Sequence, residues 1–262
     1  PSAGLYRGPG RSGRRRIITD FLTEILRQAQ APMMPAALIA ALLAGLARGF
    51  SGFGSGLIFM PIASAALGPR VAVAALLVFD FLVAGLPVLR RIREIEIRGL
   101  IPIAVGISLF TPVGGCRAAH GDPVVIRWCL SAVVFMAIIL LTAGLKWHGR
   151  ETLPLSLAIG ALSGTLGGMA ALSGIVIVIY WLARDIAPDR LRRNMFALLL
   201  LTAAVQAATF ALNGMLTQQV FAIAVLMLAP YVAGTWVGSM VFTWASPQTF
   251  RKIVYVMILC SG

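Results

Sequence analysis

Five long apolar runs follow one another in this chain, at residues 71–89, 100–113, 124–145, 191–212 and 220–242, with most of the charge confined between them. An α-helix needs about 20 predominantly apolar residues to cross the hydrocarbon of a bilayer, and several of the runs approach that length. Trp and Tyr stand near their ends, as they do at membrane interfaces. Barrel strands would instead alternate apolar and polar residues over about ten positions. The expected fold is therefore all-α, a polytopic membrane protein. Composition agrees, because 59% of the residues are hydrophobic and only 12% charged, too little polar surface for a soluble domain.

The formal charge of +13 comes mainly from arginine. On a soluble protein it would suggest nucleic acid. Here the arginines cluster in loops and at the N-terminus, where they set orientation and meet anionic lipid. The expected partners are thus the lipid bilayer and a small anionic solute, with no nucleic acid. Cys116, Cys129 and Cys260 form no CxxC pair and fit no zinc spacing, and His120 and His148 stand apart. Neither a metal nor a cofactor is expected. Residues 1–32 read as a basic N-terminal segment, with an amphipathic stretch at 19–30 that suits an interfacial helix. They do not read as a secretory leader, because no apolar core directly follows RSGRRR.

Several short patterns recur in one order. Gly45-x-x-x-Gly49-x-x-Gly52 has the spacing of Gly160-x-x-x-Gly164-x-x-Gly167. LGPR, ending at Arg70, resembles IAPDR, ending at Arg190. TPVGG, ending at Gly115, resembles PYVAG, ending at Gly234, and Pro123-x-x-x-Arg127 recurs as Pro247-x-x-x-Arg251. Together they indicate two membrane repeats, residues 33–150 and 151–262. In each, short apolar segments flank a glycine-rich break: 34–47 and 57–67, then 153–163 and 175–183.

Basic residues swap loops between the halves. Arg90, Arg91, Arg93 and Arg98 follow the first long helix of half one, whereas Arg184, Arg190, Arg192 and Arg193 precede its counterpart in half two. If basic loops face the cytoplasm, the halves are oppositely oriented, an inverted repeat. Five crossings per half would put the basic N-terminal tail outside. Eight in all would satisfy the tail and break the symmetry. Ten is the expectation carried forward.

A helix that stops inside a bilayer exposes amide and carbonyl groups, which only protein, water or ligand can satisfy. A helix N-terminus aimed at a cavity attracts anions. Matching breaks in two halves point to a transport site. The candidate walls are GFGSG at 52–56, with Gly52, Gly54, Ser55 and Gly56, and GTLGGMAALSG at 164–174. From the second come Thr165, Gly167, Gly168 and Ser173, with Ser163 just before it, the hydroxyls serving as donors. The plain alternative is close helix packing through glycines four apart. Gly234-x-x-x-Gly238 likewise suits either a homodimer or packing within the chain.

Arg48 precedes the first break. Its guanidinium either contacts an oxyanion or snorkels to the interface. Asp80 lies about ten residues into an apolar run, where a carboxylate is functional or paired. It either carries a coupling proton or forms a salt bridge, for instance with Arg48. Gln206 is the deepest polar group of the matching helix and suits interhelical bonding.

Gly52-Phe53-Gly54-Ser55-Gly56-Leu57-Ile58-Phe59-Met60-Pro61, followed by Val71-Ala72-Val73-Ala74-Ala75, resembles the glycine-rich signature of the sulfite exporter TauE/SafE family, the toluene-sulfonate uptake permeases. The likeness runs from about residue 35 to the end. Ser55 replaces a usual glycine, and the second copy is degenerate at Met169-Ala170-Ala171. The resemblance implies an integral protein of a bacterial inner membrane. It also implies movement of small sulfur-containing anions such as sulfite, sulfoacetate or sulfonates.

Three functions are open to such a chain. A secondary transporter, proton-linked, fits best, because no Walker-type GxxxxGK[ST] segment occurs. An intramembrane enzyme would need a nucleophile with a base or a metal set, and Asp80 has no such partner in sequence. A non-transporting scaffold is opposed by intramembrane Arg48 and Asp80.

Overall fold

The computed structural model describes residues 11–91, 97–122, 152–184 and 188–244, with single positions at 124, 128, 132 and 135. The apolar run expected at 124–145 lies almost wholly outside the described residues, as do Lys146, Arg150, Arg251 and Lys252. The helices are α1 (Arg11–Ala29), α2 (Met34–Ser51), α3 (Ser55–Leu67), α4 (Pro69–Arg91), α5 (Ile97–His120), α6 (Leu153–Ala170), α7 (Ser173–Ala183), α8 (Pro188–Leu212) and α9 (Gln218–Trp244). No strand occurs among the described residues. Five of these helices, α2, α5, α6, α8 and α9, contain stretches long and apolar enough to cross a membrane. α3 is apolar but has only 13 residues, too short for an upright crossing.

The helix starts follow local chemistry. Proline lies in the first turn of α2 and α6 and opens α4 and α8, where its missing N–H is not needed. α2 stops at Gly52 in the left-handed conformation, φ 80°, and α3 leaves from Gly54, φ 91°. Glycine adopts this backbone at little steric cost, so two glycines one residue apart turn the chain inside three residues. The break is narrower than the apolar pattern suggests. Arg48, Gly49, Phe50 and Ser51 are still helical.

The second break is narrower still. α6 continues through Gly160, Gly164, Gly167 and Gly168 to Ala170, and the chain turns at Ala171, whose φ is 59°. The expected break at 164–174 is thus confined to its last residues. The reason is packing. A Cβ on Gly160, Gly164 or Gly168 would collide with the α5 backbone at Ile103, Ile107 and Thr111. Gly106 and Gly114 of α5 face α6 in the same way. These glycines let two helices approach backbone to backbone, which sustains a packed seam without a break.

The same device joins α2 to α9. Gly45 and Gly49 lie on the α9 backbone at Tyr231 and Thr235, and Gly234 and Gly238 lie on the α2 backbone at Leu42 and Leu46. The Gly234/Gly238 face is therefore occupied within the chain and is not open to a second copy. α2 and α9, and α5 and α6, are the most extensively packed helix pairs.

The buried side chains form two cores. One gathers Met34, Ala41, Phe59, Phe79, Met227 and Tyr231 around α2, α3, α4 and α9. The other gathers Ile103, Ile107, Leu166, Ile177, Trp181 and Met195 around α5, α6, α7 and α8. Each break reaches toward the opposite core. Phe53 lies in the second core, against Gly174, while Ala171 packs on the first, against Gly56.

Candidate functional site

Where the two breaks meet, a cavity of about 40 Å³ opens between α2, α3, α4, α7 and α8. That is room for about three waters. Its polar lining comes from Arg48, Ser55, Asp80, Ser173, Thr202 and Gln206, with Gly54, Ala171 and Gly174 supplying backbone. Leu76, Leu77, Leu199 and Ala203 close the rest.

Arg48 is 1% exposed and is among the largest fully buried side chains. Its position in the last turn of α2 turns the guanidinium back on its own helix end, where Nη1 donates to the Gly52 carbonyl at 2.9 Å. Nε lies 3.2 Å from Asp80 Oδ1, an ion pair in which the N–H is not aimed at the oxygen, so Nε makes no hydrogen bond. Among the described residues Nη2 has no hydrogen-bond partner either. The guanidinium carbon stands 5.1 Å from the Phe196 ring centroid. Asp80 also accepts a hydrogen bond from the Tyr231 hydroxyl. Tyr231 is in turn wedged against Phe79, with ring centroids 4.7 Å apart. Three helices thus hold one chain of contacts, Tyr231 to Asp80 to Arg48.

Several carbonyls at the breaks are bonded by side chains of the protein itself. Arg48 holds that of Gly52. Arg192 Nη2 donates to the Gly49 carbonyl at 2.5 Å and to Ser239 at 3.1 Å. The Ser51 hydroxyl lies between the Ala47 and Phe53 carbonyls, at 2.8 and 2.7 Å. In the second break Gln206 Nε2 donates to the carbonyls of Gly167 and Gly168 at 3.0 and 3.3 Å, and Ser163 donates to that of Ser173 at 2.7 Å. First-turn amides are different. Those of α3 and α7 have no intrahelical acceptor, although Ile175 donates to the Leu172 carbonyl at 3.3 Å, and Gly54 provides no side-chain cap for α3. These N-termini begin at Ser55 and Ser173, both in the cavity wall.

A protein-family model described as sulfite exporter TauE/SafE matches residues 37–262. The chain belongs to the sulfite exporter TauE/SafE family. Comparison with curated proteins and with solved structures gave no match. TauE/SafE membership implies a membrane transporter of sulfur anions such as sulfite, embedded in a bilayer. The apolar helices of this TauE/SafE chain fit that role.

Of the residues singled out in the TauE/SafE sequence, Arg48, Gly54, Ser55, Asp80 and Ser173 come together around the cavity. Gly52 caps α2 and presents its carbonyl to Arg48. Gly56 abuts the Ala171 backbone, and Gly168 abuts α5. Gly167 sits behind Ser173 and Thr202. Ser163 holds the Ser173 carbonyl from behind, and Thr165 bonds back to Ala161 in its own helix. Of the two readings of Asp80, the ion pair with Arg48 is present. Gln206 makes the interhelical bond expected of it and also faces the cavity. Tyr231 and Thr202 had no sequence signal, because each lies in an apolar helix where an isolated hydroxyl is ordinary.

Proposed function

We propose that this protein is a secondary transporter of small sulfur-containing oxyanions, with sulfite, sulfoacetate and sulfonates as candidate substrates. The carrying observation is the buried Arg48 Nη2, which has no hydrogen-bond partner among the described residues, beside a polar cavity at two helix N-termini. A buried guanidinium N–H without an acceptor is expensive, and an oxyanion supplies the acceptor. First-turn amides of α3 and α7 and the hydroxyls of Ser55 and Ser173 complete the set of donors. Gly52, Gly56, Ser163, Thr165, Gly167 and Gly168 act one step back, holding the breaks in shape.

Transport is linked to protons, and Asp80 is the group beside which the coupling proton travels. Two opposed halves, residues 33–150 and 151–262, rock about the cavity to alternate its access. Support comes from three recurring positions: helix starts at 34 and 153, left-handed caps at 52 and 171, and helix starts at 69 and 188. Each pair is 119 apart, as 171 less 52 gives for the caps. That interval sets Gly52 against Ala171 and Arg48 against Gly167, whereas the glycine spacing alone sets Arg48 against Ser163. Residues 1–32 form the basic flank with its interfacial helix, and the membrane is the inner membrane of a bacterium.

The test is uptake of radiolabelled sulfite by proteoliposomes, with and without an imposed pH gradient. Sulfite should accumulate with the gradient, and Arg48→Ala should abolish the signal. No flux of sulfite or any sulfonate under either condition would favour a non-transporting membrane protein.

A further inference from the structure

Arg48 is not the sole charge in the cavity wall; Asp80 lines it too. We propose that the site selects oxyanions that carry a single negative charge and a proton, hydrogen sulfite above sulfite. This inference rests on the transport function proposed above and narrows its substrate. The ion pair between Arg48 and Asp80 cancels one full charge of each sign. The C-terminal carbonyls of α2 and α6 at the same breaks are held by Arg48, Arg192 and Gln206, and the remaining fixed potential comes from the N-termini of α3 and α7, each equivalent to about half a positive charge. Two such termini balance one negative charge and leave a dianion overcharged in a poorly solvated place.

The acceptor geometry agrees. An ionised carboxylate is acceptor-only, with about four lone-pair positions on its two oxygens. Arg48 and Tyr231 both address Oδ1. Capacity remains on a group that borders the cavity, and it suits a donor. A fully deprotonated oxyanion offers only acceptors, so beside Asp80 it meets lone pair against lone pair. Hydrogen sulfite brings a proton that it donates to Asp80, while its oxygens accept from Arg48 Nη2, Ser55 and Ser173. The proton therefore enters with the substrate and leaves with it. Asp80 need not change its own charge for transport to move a proton.

Among the described residues, the titratable or charged groups facing Asp80 are Arg48 from α2 and Tyr231 from α9. In the cavity, α3 contributes Ser55, α7 contributes Ser173, and α8 contributes Thr202 and Gln206, none of which titrates near neutral pH. Sulfite itself does change charge, from one negative to two, between mildly acid and mildly alkaline solution.

The experiment measures binding of sulfite to the purified protein by isothermal calorimetry at pH 6 and pH 8.5. Sulfate, a dianion at both, and methanesulfonate, a proton-free monoanion at both, are run beside it. Total sulfite should bind at least about tenfold more tightly at pH 6, equivalent to about 1.4 kcal/mol. Methanesulfonate should bind equally at the two pH values, and sulfate weakly at both. Asp80→Asn, whose amide both donates and accepts, should narrow the gap between the two values for sulfite and admit sulfate. Tighter sulfite binding at pH 8.5, sulfate binding as tight as hydrogen sulfite, or an unchanged gap in a folded Asp80→Asn variant would each overturn the selectivity while leaving transport standing. The wild-type comparison decides the matter even if the variant does not fold. Absence of binding by all three anions would remove the proposed function, and this inference with it.

Discussion

Arg48 Nε and Asp80 Oδ1 approach to 3.2 Å across the gap between α2 and α4, with the arginine buried and the carboxylate at the cavity edge. Removing one member of a buried pair strands the other, at a cost of several kcal/mol, whereas removing both is far milder. Asp80→Ala should therefore lower stability by about 3 kcal/mol. Arg48→Ala/Asp80→Ala should be less destabilised than the sum of the single changes. Thermal unfolding in detergent, read by intrinsic fluorescence, checks this double-mutant cycle. Additive losses would mean that the two side chains do not depend on each other.

Tyr231 restrains the same carboxylate from the other side. Tyr231→Phe keeps the ring packed on Phe79 and deletes only the hydroxyl that donates to Asp80. A hydrogen bond to a charged group contributes about 1.5–3 kcal/mol, so a loss near the lower end is expected for a pair at a cavity edge. The loosened carboxylate should also let Arg48 shift. Sulfite uptake should lose apparent affinity, with less change in the maximal rate. A variant with parental KM and lowered stability would confine Tyr231 to packing.

The glycine seams make a sharper stability prediction. A methyl on Gly168 runs into the α5 backbone at Thr111, while one on Gly99, also helical, meets nothing within 4 Å. Gly168→Ala should destabilise by about 2 kcal/mol through forced separation of α5 and α6. Gly99→Ala should be neutral or stabilise by up to about 1 kcal/mol, since alanine loses less backbone freedom in a helix. Paired melting curves decide. Equal shifts for the two variants would contradict the seam.

The first break is legible in the sequence because only glycine suits both of its left-handed positions, Gly52 and Gly54. The second is misread for the opposite reason. Its glycines serve packing against α5, and the turn itself falls on Ala171, a residue type that gives no such signal. Asp80 announces itself as a carboxylate in an apolar run, and pairing with Arg48 is one of its two legible outcomes. What cannot be read is the long-range part. Tyr231 is 151 positions from Asp80, and no local pattern connects them. Membrane segments are legible as elements because lipid constrains each one alone, whereas the cavity depends on how five of them are juxtaposed.

Ala171 offers a test of that second turn. An L-residue in the left-handed region is disfavoured by about 1 kcal/mol relative to glycine, which pays no such penalty. Ala171→Gly should then be stabilising by up to about 1 kcal/mol. Ala171→Val should be destabilising by more than that, because a β-branched side chain fits the region least. Melting temperatures of the three proteins should order Gly above Ala above Val. A glycine variant less stable than the parent would show that the methyl's contact with Gly56 outweighs the backbone strain.

Gln206 joins the second break to the cavity, since its amide holds the Gly167 and Gly168 carbonyls while its side chain borders the site. Gln206→Leu removes the donor and leaves the Gly168 carbonyl unsatisfied, while that of Gly167 keeps the Ala171 amide, so a stability loss of about 1–3 kcal/mol is expected. Gln206→Glu does more. An ionised carboxylate cannot donate to carbonyls, and it adds a second negative charge to a cavity that receives an anion. Methanesulfonate is the suitable probe because its own charge does not change with pH. Its binding to Gln206→Glu should be weaker than parental at pH 8 by at least about tenfold, or about 1.4 kcal/mol. Binding should recover toward acid pH, where a protonated carboxyl donates its one O–H to a carbonyl and carries no charge. A Gln206→Glu variant that binds methanesulfonate normally at pH 8 would move the anion away from Gln206, and the cavity between the two breaks would no longer be its place.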